Sequence, residues 1–299
     1  MKVIVDGMGG DNSPEAIVEG CVSAVKELGV SVIIVGNKEI IDTELSKYDF
    51  PDEAIDIINS TEIITNDDEP AFAIRRKKDS SMVIGLKALK EGIGDGFVSA
   101  GSTGALLAGG LFIVSRIDGI ERAALASVYP TIRGISLLLD LGANVDCKPE
   151  YLKQFAIMGS IYSEKVLKVE APRVGLVNIG TERGKGNQLV QKAYELIENS
   201  NLNFIGNVEA RDIPAGVADV LVCDGFVGNI ILKLTEGMAK SLFSSLKEEF
   251  NKTFQSKVGA ILLRKQLMNF KGMLDYREYG GAPLLGLKKP VVKAHGSSD

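Results

Sequence analysis

Five stretches of this sequence gather glycine with aspartate, asparagine, serine and a single lysine. They are DGMGGDNS at 6–13, SAGSTGA at 99–105, DLGANVD at 140–146, NIGTERGKGN at 178–187 and CDGFVGN at 223–229. Glycine lets backbone N–H groups converge on an anion, and a helix start adds a favourable dipole. Each stretch alone also reads as an ordinary tight turn from strand to helix. Jointly they point to a site for phosphate or another oxyanion. None is a nucleotide fingerprint. Residues 7–13 do not fit GxGxxG. In 178–187, Gly180 and Gly184 precede Lys185, but Gly186 stands where a phosphate loop requires Ser or Thr.

The polar residues narrow the chemistry. Asn12, Asn144, Asn187 and Asn229 can donate neutral hydrogen bonds to an oxyanion. Asp6, Asp11, Asp140, Asp146 and Asp224 lie in or beside the loops, where capping and bracing of turns is the main expectation. Their spacing fits no known metal loop, so no metal is expected. Cys223 closes an apolar run and reads as a buried thiol rather than a nucleophile. His295 is the one histidine, which excludes a His-rich metal site and leaves any histidine-dependent triad to that residue.

These loops need a scaffold. Short β-branched runs at 3–5, 32–35, 55–58, 97–98, 135–139, 174–179, 204–205 and 220–223 read as strands buried on both faces. Helical patterns lie between them, near 37–48, 81–91, 103–116, 149–167, 186–199 and 226–250. Ser13 is expected to cap a first helix with Pro14 at its opening position and Gly29 at its stop. Asn229 is expected to open the long 226–250 helix. Alternating strands and helices make a largely parallel α/β sheet, which binds ligands beyond the carboxyl ends of its strands.

The 299 residues suit one large domain or two intimate ones. A net charge of −5 argues against nucleic-acid binding by the whole surface. Three scattered cysteines, no leader-like start and no long apolar run fit a reduced, cytoplasmic protein. Two local basic segments stand out. Arg75-Arg76-Lys77-Lys78 follows an acidic stretch and reads either as a solvated face or as a docking site. Residues 252–271 carry Lys252, Lys257, Arg264, Lys265 and Lys271 among apolar residues at helical spacing and no acid. That pattern fits a membrane-surface helix or a dimer interface.

The loops, in this order, resemble the bacterial acyl-ACP:phosphate acyltransferases of the PlsX type. The resemblance spans the chain: VDGMGGDNSPEAIVEG (5–20), EPAFAIRRKKDSSM (69–82), SAGSTGALLAGGLFIV (99–114), LLLDLGANVDCKPEYL (138–152), RVGLVNIGTERGKGN (173–187), FIGNVEARDI (204–213), VCDGFVGNIILK (222–233) and KAHGSS (293–298). Ser102 and Arg183 depart from the residues frequent there. The resemblance implies a Rossmann-like αβα sandwich with a mostly parallel sheet, related to phosphate acetyltransferase and isocitrate-dehydrogenase-like folds, plus a projecting helical pair. It implies one α/β catalytic domain over 1–299, with a helical dimer or membrane element projecting at 235–275. It implies transfer of a long-chain acyl group from acyl carrier protein to inorganic phosphate by a homodimer without a cofactor. The acyl phosphate would pass to a glycerol-3-phosphate acyltransferase for phospholipid synthesis.

On that reading Lys185, Asn229 and His295 are the catalytic candidates. Substrate contacts are expected from Gly9, Gly10, Asp11, Asn12, Ser102, Thr103, Gly104, Asn144, Thr181, Gly184, Gly186, Asn187, Asp224, Gly225 and Gly228. Lys257, Leu262, Leu263, Arg264 and Lys265 are expected to meet the inner face of the cell membrane or a partner. Rival readings are a short-chain phosphate acyltransferase using acyl-CoA, a dehydrogenase of the isocitrate-dehydrogenase type, and an inactive membrane scaffold that binds the carrier protein.

Overall fold

The computed structural model describes residues 1–51, 53–274 and 280–296, with the side chains of 269, 271, 273 and 274 excepted. Ser297, Ser298, the end of the 235–275 element at Asp275 and the side chain of Lys271 lie outside the described residues. Packing divides the chain into two compact units, Met1–Ala123 with Gly281–Asp299, and Ala124–Gly280.

The first unit holds β1 (Lys2–Asp6), α1 (Glu15–Leu28), β2 (Ser31–Gly36), α2 (Lys38–Leu45), β3 (Ile55–Asn59), α3 (Pro70–Arg76), α4 (Ser81–Glu91), β4 (Gly96–Ser99) and α5 (Thr103–Gly109). Its sheet runs β3-β2-β1-β4, parallel throughout. Val32–Val35 of β2 and Ile4 of β1 are buried, with Val3 and Val5 half-buried, as in strands covered by helices. On α1, Val18, Cys21, Val22 and Val25 recur at helical spacing and face the core. Gly29 ends that helix in the left-handed conformation with its N–H on the Val25 carbonyl. Ser13 is not the cap expected: its hydroxyl lies 3.2 Å from the Met8 carbonyl and 3.1 Å from that of Gly10, inside its own loop. The 103–116 helix is also interrupted. After Gly109 it widens into a π-helical turn, Gly110–Val114.

The second unit holds β5 (Ala124–Thr131), β6 (Gly134–Leu139), α6 (Pro149–Lys165), β7 (Val174–Asn178), α7 (Gln188–Glu198), β8 (Phe204–Glu209) and β9 (Val220–Val222). Three helices follow: α8 (Gly225–Asn251), α9 (Phe254–Leu262) and α10 (Arg264–Leu274). The strand order is β5-β6-β9-β7-β8, parallel except for the β5–β6 hairpin. Back in the first unit, β10 (Ala282–Leu285) and β11 (Val291–Lys293) form an antiparallel pair, with β11 parallel to β4. The basic segment at 252–271 is two helices broken at Leu263 rather than one. Among the described residues no helix is long and apolar enough to cross a membrane.

Candidate active site

Every glycine-rich loop follows a parallel strand and leads into a helix, so each unit gathers its loops at one sheet edge. In the first unit the loops after β1 and β4 converge on Asp6. This carboxylate is buried and accepts the Ser99 hydroxyl at 2.7 Å and the Met8 N–H at 3.3 Å. Ser99 Oγ also accepts the Gly101 N–H at 3.0 Å, which ties the two loops together. A Cβ on Gly9 would stand 2.6 Å from Asp6 Oδ2, and one on Gly10 would stand 2.9 Å from the Ala100 Cβ. Asp11 donates its N–H to the Gly296 carbonyl at 2.8 Å. The segment carrying exposed His295 is thereby fastened to the loop of Gly9, Gly10, Asp11 and Asn12.

Ser102 accepts the Ala105 N–H and so caps α5, leaving Thr103 and Gly104 at the helix start. Lys293, outside the site residues expected from the sequence, donates to the Ala100 carbonyl at 3.0 Å. Its charge also acts on Asp6. Burial pushes the Asp6 carboxyl above the ordinary range, while bonds from Ser81, Ser99 and Met8 and the Lys293 charge pull it back.

The second unit builds a matching arrangement on Asp140, which closes β6 and is fully buried. Its Oδ1 accepts the N–H groups of Leu125 and Leu141, both at 2.8 Å. Its Oδ2 accepts the Asn144 N–H at 2.5 Å and the Asn144 side-chain amide at 2.9 Å. Asn144 is therefore committed to bracing this carboxyl, and its carbonyl accepts the Gly225 N–H at 2.8 Å. Burial raises the Asp140 carboxyl and the Asn144 bonds oppose it.

Asp224 caps α8 by accepting the Val227 N–H at 2.8 Å. Asn229 therefore sits in the second turn rather than at the opening, exposed and facing Gly142. Gly228 packs on the Asp140 carbonyl: a Cβ there would lie 2.0 Å from that oxygen. Cys223 is buried, and that burial pushes its thiol far up, away from the thiolate form.

Next to β9 lies β7, whose loop carries Thr181, Gly184, Lys185 and Gly186 on the surface of the unit. Asn178 organises this loop. Its amide donates to the Lys185 carbonyl at 3.1 Å and its Oδ1 accepts the Ile179 N–H at 2.8 Å. Gly186 turns with φ +90 directly over Asn178 Oδ1. Asn187 caps α7 through the Val190 N–H at 3.0 Å. Arg183 pairs with Glu198 at 2.6 Å and lies over Tyr194.

The site residues expected from sequence thus form two clusters, one in each unit. Among the described residues no group of His, Cys, Asp and Glu is placed to hold a metal ion.

A family model described as fatty acid synthesis protein matches residues 1–299. A phosphate acyltransferase of Alkaliphilus oremlandii (strain OhILAs) is 59% identical over 299 residues, covering 100% of this chain and 89% of that relative. The chain belongs to the phosphate acyltransferase family. A second member, from Clostridioides difficile (strain 630), is 54% identical across 100% of this chain and 88% of its own length. The fold is that of a phosphotransacetylase from Streptococcus pyogenes, with a TM-score of 0.64 at 22% identity over 100% of this chain and 89% of that one. EutD phosphotransacetylase from Staphylococcus aureus superposes with a TM-score of 0.62 at 18% identity, covering 99% and 89%. These neighbours establish a Rossmann-like α/β architecture. As a phosphate acyltransferase family member, the chain is an acyltransferase enzyme.

Proposed function

We propose that this enzyme transfers a long-chain acyl group from acyl carrier protein to inorganic phosphate. The observation that carries the reading is the full-length likeness, at 59% identity, to a relative named phosphate acyltransferase. A phosphate oxygen attacks the thioester carbonyl carbon, the C–S bond breaks, and the thiolate leaves and takes up a proton. Phosphate is already anionic at neutral pH and a thiol leaves readily, since its ordinary pKa is about 8.5. The enzyme must therefore position an anion and stabilise a tetrahedral oxyanion. Lys185, on the loop after β7, and Asn229, in the second turn of the helix after the neighbouring strand β9, meet that demand. Gly184 and Gly186 lend backbone N–H groups there. In the first unit, Gly9, Gly10, Asn12, Thr103 and Gly104 supply donors of the same kind, with His295 beside them.

The enzyme further acts as a homodimer at the inner membrane surface. Leu262 and Leu263 stand 76% and 49% exposed, flanked by Lys257, Arg264 and Lys265. An apolar cleft of about 600 Å³ opens beside them, walled by Phe243, Leu246, Phe250, Ile261, Leu267 and Met268. Exposed apolar surface with a basic rim suits an anionic bilayer.

Phosphate-dependent thiol release, measured with palmitoyl-carrier protein and with acetyl-CoA, tests the reaction. Release from the carrier substrate is expected. Release from acetyl-CoA alone would favour a short-chain transferase, and release from neither would favour a scaffold or a dehydrogenase.

A further inference from the structure

The basic run at 75–78 resolves into two kinds of residue. Lys77 is structural: its ammonium binds Asp68 at 2.6 Å and the Ile63 carbonyl at 2.8 Å. Arg75 and Arg76 are different. Both are exposed, and neither pairs with a carboxylate among the described residues. Arg75 lies 5.1 Å from the ring centre of Phe112, and Arg76 lies 4.1 Å from that of Phe72. The two rings are themselves 54% and 49% exposed. Of the nearby acids, Glu69 caps α3, Asp68 pairs with Lys77 and Asp79 binds Thr61, while exposed Asp67 forms no ion pair with either arginine among the described residues. The result is an open face of guanidinium groups resting on aromatic rings. Stacking holds each guanidinium in place while leaving its N–H edges free for carboxylates.

This face belongs to the substrate loops of its own unit. Pro70, which opens α3, packs so closely on Gly104 that a Cβ there would lie 2.8 Å from the proline ring. Phe112 sits on the π-helical turn that continues α5, on the order of 13 Å along the axis from Thr103. A protein that holds its thioester on a flexible arm must dock at such a short remove from where the thioester reacts.

We propose that Arg75, Arg76, Phe72 and Phe112 form the docking surface for the acidic carrier protein, receiving an acidic helix of that partner. The inference rests on the carrier-dependent reaction proposed above. The chain carries a net charge of −5, so attraction to an acidic partner requires a local cationic face. Arginine and aromatic residues are also the types enriched where interfaces bind tightly.

The test compares the full-length enzyme with Arg75→Glu/Arg76→Glu on two donors, palmitoyl-carrier protein and uncharged palmitoyl-pantetheine. The variant is expected to raise KM for the carrier substrate about tenfold or more, with kcat and palmitoyl-pantetheine turnover unchanged. Arg75→Gln/Arg76→Gln gives a smaller rise in the same direction and serves if the charge reversal fails to fold. Unchanged carrier KM in a folded variant overturns the docking surface while leaving the reaction intact. Unchanged KM with lost retention on anionic vesicles assigns the face to membrane instead and also overturns it. Wild-type turnover of palmitoyl-pantetheine but not of the carrier substrate overturns the carrier reading itself, and the surface with it.

Discussion

Asp140 and Asn144 are joined twice, through the Asn144 N–H at 2.5 Å and its side-chain amide at 2.9 Å. The pair is buried and stands against the start of α8, with the Gly225 N–H on the Asn144 carbonyl and Gly228 packed on that of Asp140. Asn144→Ala removes one donor and leaves a buried carboxyl short of a partner. A loss of about 1–3 kcal/mol is expected. Urea unfolding of the variant measures it, and an unchanged midpoint would remove the pair from the account of this loop.

Asp6 gives the stability a pH dependence. Burial holds its carboxyl above the ordinary value of 3.8. As pH rises past that value, the unfolded chain loses the proton while the folded protein keeps it. Below the ordinary value both states hold the proton. Folding stability from Asp6 therefore falls as pH climbs from about 4 through the raised folded value, and then levels. The stability of wild type relative to Asp6→Asn should decline over that window. A relative gain with rising pH would contradict the assignment.

Three glycines separate steric from conformational demands. Gly228→Ala drives a Cβ to 2.0 Å from the Asp140 carbonyl, where only backbone movement relieves it. A cost of about 3 kcal/mol or more is expected. Gly186→Ala meets Asn178 Oδ1 at 2.5 Å and forces φ +90 on a residue with a Cβ, at about 1–2 kcal/mol. Gly184 has open space around it, so Gly184→Ala should change stability by less than about 0.5 kcal/mol. Thermal unfolding of the three variants should follow that order.

Lys185→Ala and Asn229→Ala remove side chains that build none of the loop hydrogen bonds described above. Their fold should be intact, and each should lower phosphate-dependent turnover by ~10²–10³. Near-native turnover in both would remove these residues from the oxyanion chemistry.

Flotation with anionic liposomes reads the α9–α10 tip. Leu262→Glu with Leu263→Glu places two charges on exposed apolar surface and should abolish flotation while leaving thiol release in solution unchanged. Equal flotation of variant and wild type would assign this tip to protein contacts alone.

Much of the fold was legible in the chain. Val32–Val35 and Val174–Val177 are β-branched or leucine-containing runs with no polar break, and both are buried strands. Ser81–Glu91 lies between Ser80 and Gly92, and the helix has those bounds. The missed strands had weak local signals. Strand β5 contains Pro130 and opens on small residues, Ala124, Ala126 and Ser127, and β11 has only three. β5 is held by its hairpin partner β6, and β11 owes its existence to β4, distant in sequence. Lys293 went unnoticed for that reason, since only the β11–β4 register brings it to Ala100.

By itself the sequence determined the alternation of strand and helix, the glycine loops at strand ends, and the family to which these motifs belong. Those depend on residue type and near spacing, which set backbone freedom and apolar periodicity. Tertiary structure alone decided which polar residues brace and which remain open. Asp140 and Asn144 consume each other's hydrogen bonds, Asp224 and Asn187 are spent on helix ends, and Asn229 is left facing outward. Asp140 also takes the Leu125 N–H, 15 residues away, and Lys293 reaches the Ala100 carbonyl, 193 residues away; the distance and direction of such bonds follow from strand pairing, and spacing along a sequence carries neither.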